Sequence, residues 1–321
     1  MKHLKTRLLS AFFVIFMLAQ PVQAATQLLV PVGRVVGLEL LSNTVSIAAF
    51  AEDSIAEAAG LRAGDRIVSI DGKMIQCAQD VRAALSASDG TVEIRVQRGD
   101  KCSAYKLTPT ITADGPKLGI FLRQGVTGIG TITYYDPQSH RFGTLGHGVN
   151  TPGGGLLAMT EGKCYRAGVA SVRKGKCGDP GQLVGSLMSQ TPIGTLSRNT
   201  ARGVFGTLDM DCPGEAVPVG SADGVKTGNA TILSTIAGEA VQEYSVEILK
   251  IYPAARTNGR NMLIKVTDPA LLETTGGIVQ GMSGSPIIQD GKLVGAVTHV
   301  LVNDPTTGYG IFIENMLDAA A

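Results

Sequence analysis

The chain has 321 residues, 44% of them hydrophobic, and a formal net charge of +1 from 28 basic and 27 acidic side chains. This balance creates no strong field of either sign, so nucleic acid is excluded as an expected partner. The length predicts two domains, and 41 glycines with many short Val, Ile and Thr runs predict a turn-rich, mainly β fold.

Residues 1–25 have the features of a targeting segment. Basic residues between Lys2 and Arg7 precede an apolar run from Leu8 to Ala19, and Val22-Gln23-Ala24 then provides a signal-peptidase site. The run is shorter than the roughly 20 residues of a membrane span. We expect a cleaved signal peptide, with an uncleaved membrane anchor as the alternative. In either case the rest of the protein is expected outside the cytoplasm.

Residues 26–110 predict a small domain that contains both strands and helices. Strand-like runs at 35–41 and 45–50 precede a short helical turn closed by glycines at 57–65. A further strand ends in Asp71-Gly72, which is a hairpin-turn signal. Residues 79–85 have helical spacing, and residues 91–96 alternate with the period of a half-buried strand.

The stretch from Ala59 to Ile67 and the following Ile70-Asp71-Gly72 resemble the PDZ family, in the circularly permuted form of exported bacterial proteases. The resemblance implies an α+β peptide-binding module. Gly37, Leu38, Glu39 and Leu40 would stand where PDZ domains have the loop that binds a peptide carboxylate. Glu39 replaces a glycine of that loop and disfavours an anionic terminus. Strand addition at a sheet edge, or a purely bracing role, are the alternatives.

Residues 111–116 predict a linker, and residues 117–321 predict a second domain. Short strand-like runs punctuated by glycine recur throughout it, and helical periodicity is confined to its C-terminus. This pattern is typical of an all-β barrel or sandwich.

Gly281-Met282-Ser283-Gly284-Ser285-Pro286 is the sharpest chemical signal. Glycines on both sides of Ser283 allow a tight turn that presents the hydroxyl, and the N–H groups of Gly281 and Ser283 would form an oxyanion hole. The pattern resembles the nucleophile loop of trypsin-like peptidases. Ser285 is the rival nucleophile, but the proline after it favours extended backbone.

His147 is the predicted general base, because a serine hydroxyl is a weak nucleophile that needs an adjacent base. It lies between Gly146 and Gly148, whereas His3 lies in the targeting segment and His140 in a polar turn. Thr298 and His299 follow the serine on a strand, and strand packing is the expected role of both, with a place in a substrate pocket as the alternative.

A third residue should orient the imidazole. Asp268 is our choice, because it follows a strand and precedes a proline that fixes the turn. Spacing alone leaves three competitors, which are Asp136, Asp209 and Asp211.

The five cysteines indicate neither a metal nor a cofactor. Their spacing fits no zinc pattern, and an odd number leaves at least one thiol unpaired. Domain membership suggests two disulfides, Cys77 with Cys102 and Cys164 with Cys177, which would leave Cys212 over. Burial of these cysteines as small apolar residues is at least as well supported.

A closer resemblance covers nearly all of the chain after residue 25. Residues 266–272, 275–288, 295–305 and 308–311, with Gly128-Ile129-Gly130-Thr131 and Leu145-Gly146-His147, resemble the stage IV sporulation protein B (SpoIVB) peptidase family. The resemblance implies a trypsin-like β-barrel serine peptidase with catalytic His147, Asp268 and Ser283.

The same resemblance implies self-cleavage and a role in sporulation. The expected substrate is the extracytoplasmic part of a membrane-bound regulator, in the space between the membranes around a developing spore. Its cleavage would release an intramembrane metalloprotease that matures a sigma factor. A non-catalytic scaffold that binds an exported partner is the competing hypothesis.

Overall fold

The computed structural model describes residues 27–151, 154–255 and 259–321, so the predicted targeting segment lies outside the described residues. In these ranges, none of the helices is long and apolar enough to cross a membrane. Strands make up most of the described chain, which confirms the predicted mainly β class.

The elements of residues 27–135 form the predicted PDZ region and the start of the second domain. In chain order they are β1 (Leu28–Pro31), β2 (Val35–Phe50), α1 (Ile55–Ala58), β3 (Arg66–Ile70), β4 (Lys73–Met74), α2 (Ala78–Ser86), β5 (Val92–Arg98), β6 (Lys101–Leu107), β7 (Thr110–Thr112), β8 (Gly115–Lys117) and β9 (Ile120–Tyr135).

The elements after β9 complete the second domain. They are β10 (Arg141–Thr144), β11 (Met159–Arg173), β12 (Gln182–Thr200), β13 (Gly203–Leu208), β14 (Val217–Pro218), a 3₁₀ turn (Ala222–Gly224), β15 (Gly228–Ala237), β16 (Ala240–Ile251), β17 (Met262–Val266), α3 (Pro269–Thr275), β18 (Pro286–Gln289), β19 (Lys292–Leu301), β20 (Asp304–Phe312) and α4 (Ile313–Ala320).

The PDZ region is a sheet in the order β2-β3-β5-β6, and its core contains the apolar side of α2. Alternate residues of β5, including Ile94 and Val96, point into this core, as the period-two pattern predicts. Asp71 and Gly72 have φ values of +48° and +77° between β3 and β4. A two-residue hairpin turn of this kind requires positive φ at both residues, so the predicted Asp-Gly turn is confirmed.

The second domain consists of two six-stranded rings. Antiparallel pairing closes the first ring in the order β2-β9-β10-β13-β12-β11 and back to β2. The second ring is a closed barrel in the order β15-β16-β17-β20-β19-β18. The β-barrel architecture that the resemblance to trypsin-like peptidases implied is present, and the structure shows that it consists of two barrels.

The two barrels pack closely against each other. One apolar cluster joins Val35 and Leu183 of the first barrel to Ile232 and Val246 of the second. The backbones also approach closely, because a Cβ atom on Gly33 would lie 2.7 Å from the carbonyl oxygen of Leu233. Loops at this junction are therefore held by both barrels.

Two details of the predicted domain organisation differ from the structure. Residues 111–116 are not a linker, because they lie in the β7–β8 hairpin, whose turn precedes Gly115 with a φ of +103°. The long strand β2 is shared, since its first half pairs within the barrel and Val45 and Ser46 pair with β3 of the PDZ sheet. The PDZ region and the first barrel are thus joined by continuous strands.

Candidate active site

The predicted nucleophile loop lies at the junction of the two barrels, between α3 and β18. Gly281 and Gly284 have φ values of +100° and +98°, which L-residues with side chains rarely adopt. A Cβ atom on Gly284 would collide with Thr131 O and lie 2.6 Å from Leu145 N. The glycines therefore provide both the backbone conformation and the close approach that the sequence suggested.

In the part of the chain that the structure describes, the hydrogen bonds of this loop leave two of its backbone N–H groups without an acceptor. The Met282 N–H donates to Val279 O at 3.1 Å, and the Gly284 N–H donates to Val297 O at 2.8 Å. Among the described residues, no acceptor takes a hydrogen bond from the N–H of Gly281 or of Ser283. These are the two groups predicted to form the oxyanion hole, and they remain able to bind a negatively charged oxygen.

Thr131 of β9 holds the nucleophile loop from both sides, and sequence analysis gave it no role. Its N–H donates to Ser283 O at 3.1 Å, and its hydroxyl donates to Gly281 O at 2.8 Å. Its own carbonyl accepts from the Thr144 hydroxyl at 2.6 Å and from the Leu145 N–H at 3.4 Å. One fully buried residue thus connects the serine loop to the loop that carries His147.

The histidine loop follows β10 with an unusual backbone. Leu145 and Gly146 both have a φ of +68°, and for leucine this conformation costs roughly 1–3 kcal/mol. A Cβ atom on Gly146 would lie 2.8 Å from Thr298 Cγ2, so this loop also packs directly on β19. Strain in a non-glycine residue beside the predicted base is typical of a functional site.

The His147 ring is oriented by the backbone. Its Nδ1 lies 3.0 Å from Gly148 O, and because a carbonyl can only accept, Nδ1 carries the proton of this hydrogen bond. Nε2 of the neutral ring then has the free lone pair that a general base needs. Burial lowers the pKa of His147, against a smaller opposite effect of the Gly148 carbonyl, so the ring is neutral at pH 7.

Asn199 of β12 fixes the chain that follows His147. Its amide nitrogen donates to Val149 O at 2.8 Å and to Leu157 O at 2.9 Å, and its oxygen accepts from the Val149 N–H at 2.9 Å. The histidine loop is thereby tied to β12 of the first barrel.

Ser283 and His147 contact two neighbouring residues of β19. The Ser283 hydroxyl donates to Thr298 O at 2.9 Å, and the ring of the next residue, His299, lies 5.3 Å from the His147 ring, centroid to centroid. The hydroxyl is directed to this carbonyl rather than to His147. The rival Ser285 is fully buried and donates to the Ser234 hydroxyl at 3.1 Å, so it cannot meet a substrate.

Asp268 lies outside this site. Its carboxylate accepts from the N–H groups of Ala270 and Leu271, both at 3.0 Å, and from that of Ser245 at 3.3 Å. It is therefore the N-cap of α3. Leu263 of β17 lies two strands from His299, and Asp268 follows five residues later. Strand spacing and rise then place it more than about 10 Å from the His147 ring.

None of the competing carboxylates orients His147 either. Within the described ranges, Asp211 accepts from the Tyr135 hydroxyl at 2.8 Å, and Asp136 accepts from the Ser139 hydroxyl at 2.6 Å. Asp209 likewise makes no hydrogen bond to His147 in this part of the chain. His147 is thus held by a backbone carbonyl and a second imidazole in this structure.

A cavity of about 600 Å³ opens beside the nucleophile loop. Ile129 and Leu183 line it, and both lie within 3.1 Å of the Cβ position of Gly281. Glu39 also lines the cavity, where its carboxylate accepts from the Tyr165 hydroxyl at 2.7 Å. Polar and apolar side chains both line the cavity, and Ser283 and His147 lie outside its lining, so its link to the nucleophile loop runs through Ile129 and Leu183.

The predicted carboxylate-binding loop of the PDZ region is wrong. Gly37, Leu38, Glu39 and Leu40 lie inside β2, paired to β9 on one side and to β11 on the other. Their backbone groups belong to these two ladders, so residues 37–40 cannot form a loop that binds a peptide terminus. The glycine pattern resembled the loop, but the segment is a central barrel strand.

Leu118 and Gly119, at the start of β9, have the properties that were expected of that loop. Their carbonyls accept from the N–H groups of Ala56 at 3.4 Å and Ala51 at 2.9 Å. In the described chain, their own N–H groups have no acceptor, and Gly119 has a φ of +71°. The sequence Leu118-Gly119-Ile120-Phe121 could have indicated this loop, but it was missed because the second domain was assumed to begin at residue 117.

The five cysteines are all free thiols, and the suggested pairs Cys77–Cys102 and Cys164–Cys177 are not formed. The alternative interpretation, burial of the cysteines, holds for Cys164 and Cys212 in the apolar core of the first barrel, but not for Cys102 and Cys177, which are exposed. Burial raises the pKa of the Cys164 thiol to about 12, which makes it unreactive at neutral pH.

A serine and a histidine on glycine-rich loops between two β-barrels, with a PDZ sheet attached, define a PDZ-containing serine peptidase. A model of the family described as SpoIVB peptidase S55 matches residues 115–317, and a PDZ domain model matches residues 46–98. The first match covers more than half of the chain. The chain therefore belongs to the SpoIVB peptidase family, as the sequence resemblance suggested.

Individual relatives cover single parts of the chain. A protein of Rhizobium meliloti (strain 1021), named as a zinc metalloprotease, is 37% identical over 86 residues, 26% of this chain and 23% of that protein. The chain thus spans about a quarter of that relative's length. A similarly named protein of Agrobacterium fabrum is 34% identical over 86 residues, with the same shares of 26% and 23%.

Two solved structures are similar to one part each. The PDZ domain of the SdrC-like protein from Listeria monocytogenes is 30% identical and covers 25% of this chain and 87% of that chain, with a TM-score of 0.22. The active form of the Rv3671c protease from M. tuberculosis is 16% identical and covers 62% and 73%, with a TM-score of 0.37.

Proposed function

We propose that this serine peptidase is an exported endopeptidase in which Ser283 is the nucleophile and His147 the general base. The observation that carries the proposal is the double attachment of the serine loop to Thr131, whose carbonyl also holds the histidine loop. This attachment supports the proposal because it ties the loops of both predicted catalytic residues to one residue of the first barrel, near a cavity lined by Ile129 and Leu183.

The reaction follows from the groups present. His147 Nε2 takes the proton of the Ser283 hydroxyl while Oγ bonds to the scissile carbonyl carbon, and the carbonyl oxygen becomes an oxyanion. The N–H groups of Gly281 and Ser283 bind that oxyanion. The intermediate then expels the amine, which receives the proton from His147, and leaves an acyl group on Oγ. Water repeats the sequence and releases the acid.

The resting position of the Ser283 hydroxyl requires one movement before this reaction. It donates to Thr298 O in the structure, so a change of χ1 rotamer must break this hydrogen bond before the hydroxyl can donate to His147. A substrate N–H that binds the same carbonyl would favour that change, because the carbonyl then has another donor. This provides a way to couple substrate binding to activation of the nucleophile.

The test compares the two serines of the loop in purified full-length protein. Ser283→Ala should lower the turnover of a peptide substrate by about 10⁴-fold or more and abolish labelling by a fluorophosphonate. Ser285→Ala is the matched control, because its hydroxyl is buried against Ser234, and it should keep both activities. Undiminished cleavage by Ser283→Ala would exclude the proposed nucleophile, and capture of partners without labelling would favour a scaffold.

The biological substrate is proposed from family membership and from the PDZ region. The expected target is the extracytoplasmic part of a membrane-bound regulator of an intramembrane metalloprotease, whose release matures a sporulation sigma factor, and self-cleavage accompanies it. The predicted targeting segment supports an extracytoplasmic location between the two membranes of the developing spore. The free N–H groups of Leu118 and Gly119 support binding of a peptide terminus by the PDZ region.

A further inference from the structure

His299 is the one side chain in the site whose polar atom has no use in the mechanism so far. Its Nδ1 is buried and has no hydrogen-bond partner among the described residues. A buried polar group without a partner costs about 1–3 kcal/mol, so an unpartnered ring nitrogen beside the predicted base calls for an explanation. The ring lies beside the predicted base, with an angle of 43° between the two imidazole planes.

The position of His299 is fixed by the strand that carries it. The preceding Thr298 is buried, and its hydroxyl donates to Gly259 O at 2.8 Å, with Tyr309 O as a second acceptor within reach at 3.2 Å. The pairing of β19 with β20 shifts register between Val297 and His299, which is the mark of a bulge. Bulges often re-aim a side chain beside an active site, and this one directs the imidazole at His147.

His299 stays uncharged when His147 becomes charged. Burial, the neighbouring His147 and the Arg260 guanidinium together lower the pKa of His299 to about 4. Arg260 itself lies over the Tyr309 ring, at 5.1 Å from its centroid. A neutral imidazole with a free lone pair can accept a hydrogen bond, which an imidazolium cannot do.

We propose that His299 is a positioning residue of the catalytic apparatus, which holds the His147 ring and offers its buried Nδ1 as hydrogen-bond acceptor to the His147 imidazolium. It would occupy the role that the sequence assigned to Asp268. The His147 Nδ1–H has only the Gly148 carbonyl as acceptor in the resting structure. A small rotation of either ring joins the two imidazoles when His147 takes the serine proton. The inference rests on the proposed roles of Ser283 and His147.

The experiment measures kcat, KM and the pH profile of full-length His299→Phe and His299→Asn with a peptide substrate. Phenylalanine keeps a packed ring without an acceptor, so kcat should fall by roughly 10²-fold or more while KM stays close to the wild-type value. Asparagine places an amide oxygen near the position of Nδ1, so it should recover a large part of kcat.

The pH profile separates hydrogen bonding from simple packing. An acceptor stabilises the charged form of His147, so its loss lowers the pKa of His147 further. The acid limb of kcat/KM, which reports the free base, should therefore move to lower pH in His299→Phe and return in His299→Asn. Unfolding by urea at pH 7 checks that both variants are folded.

Each result has a defined meaning. Wild-type kcat in His299→Phe, an acid limb that moves to higher pH, or equal losses in the phenylalanine and asparagine variants would overturn the role of His299. Ser283→Ala is measured in parallel. If it abolishes activity while His299→Phe does not, this inference alone fails. If Ser283→Ala remains active, the proposed function fails and the inference with it.

Discussion

The segment that runs from Asp268 to Ser283 has two very different ends. At its start, Asp268 is partly exposed and serves its own neighbourhood, as N-cap of α3 and partner of the Ser245 N–H. At its end, the serine loop lies between two barrels and is bonded to Thr131, which is 150 residues from Gly281 in the chain. One end depends on local structure, and the other depends on tertiary contacts.

This difference explains why the structure supports the catalytic role that the family resemblance implied for Ser283 better than the one it implied for Asp268. A carboxylate before a proline at the start of a helix is stabilised by the helix itself, whatever its role in catalysis. A serine between glycines in so tight a turn gains no comparable stabilisation from its own segment. The contrast predicts that substitutions in the serine loop lower stability and activity most, and that substitutions of the helix cap Asp268 lower them least.

Substitution of Gly284 should have the largest effect. Gly284→Ala combines a positive φ with a collision against Thr131 O and Leu145 N, which are backbone atoms that cannot move aside. We expect a loss of more than about 4 kcal/mol in the free energy of unfolding, together with loss of activity. Urea unfolding and fluorophosphonate labelling measure the two effects.

Gly291→Ala is the matched control for that substitution. Gly291 has a φ of +71° in the turn between β18 and β19, but its Cβ position has no atom within 4 Å. Conformational strain alone should then cost roughly 1–2 kcal/mol and leave activity intact. Equal losses from the two glycines would show that packing of the loop against the histidine loop contributes nothing.

Substitution of Thr131 should have an intermediate effect. Thr131→Val keeps the backbone bond to Ser283 but removes the hydroxyl that donates to Gly281 O. A carbonyl left without this partner costs about 1–3 kcal/mol, and displacement of the oxyanion donors should lower kcat by about tenfold or more. Thermal unfolding and steady-state kinetics measure the two quantities.

The same strand offers the control for Thr131. Thr133 is also fully buried, and its hydroxyl has no hydrogen-bond partner in the described chain. Thr133→Val should leave kcat unchanged and raise stability by about 1 kcal/mol, because an unpaired buried hydroxyl is removed. A fall in kcat for both variants would mean that packing of β9, and not the Thr131 hydroxyl, positions the loop.

Short sequence patterns correctly predicted those features that depend on local backbone preferences. The Asp71-Gly72 turn, the strands of the PDZ sheet and the glycine requirement around Ser283 all follow from backbone preferences, and each is present. The prediction for residues 37–40 was wrong because this glycine-containing run was assigned to a loop. In the structure it is a strand that pairs with a neighbouring strand on each side.

Long-range contacts account for what the sequence did not predict. Thr131 and Asn199 are ordinary strand residues whose side chains become important only after the first barrel closes. His299 was predicted to pack within a strand, and its contact with His147 occurs at a register shift in β19 that the sequence does not indicate. No spacing in the chain distinguishes these residues from their neighbours.

Substitutions of Asp268 should have the smallest effect and test the comparison most directly. Asp268→Ala removes the cap of α3 and should cost about 1 kcal/mol of stability, whereas Asp268→Asn keeps a good capping residue and should cost less. Neither should change kcat much, since the carboxylate makes no hydrogen bond to His147 within the described residues.

A member of a catalytic triad would give the reverse pattern for the two Asp268 variants. Loss of the charge in a geometrically intact triad lowers kcat by about 10⁴-fold, so Asp268→Asn would then be folded, stable and nearly inactive. That outcome would require the start of α3 to move toward His147 in the active enzyme. It would also return to Asp268 the role that we propose for the buried Nδ1 of His299.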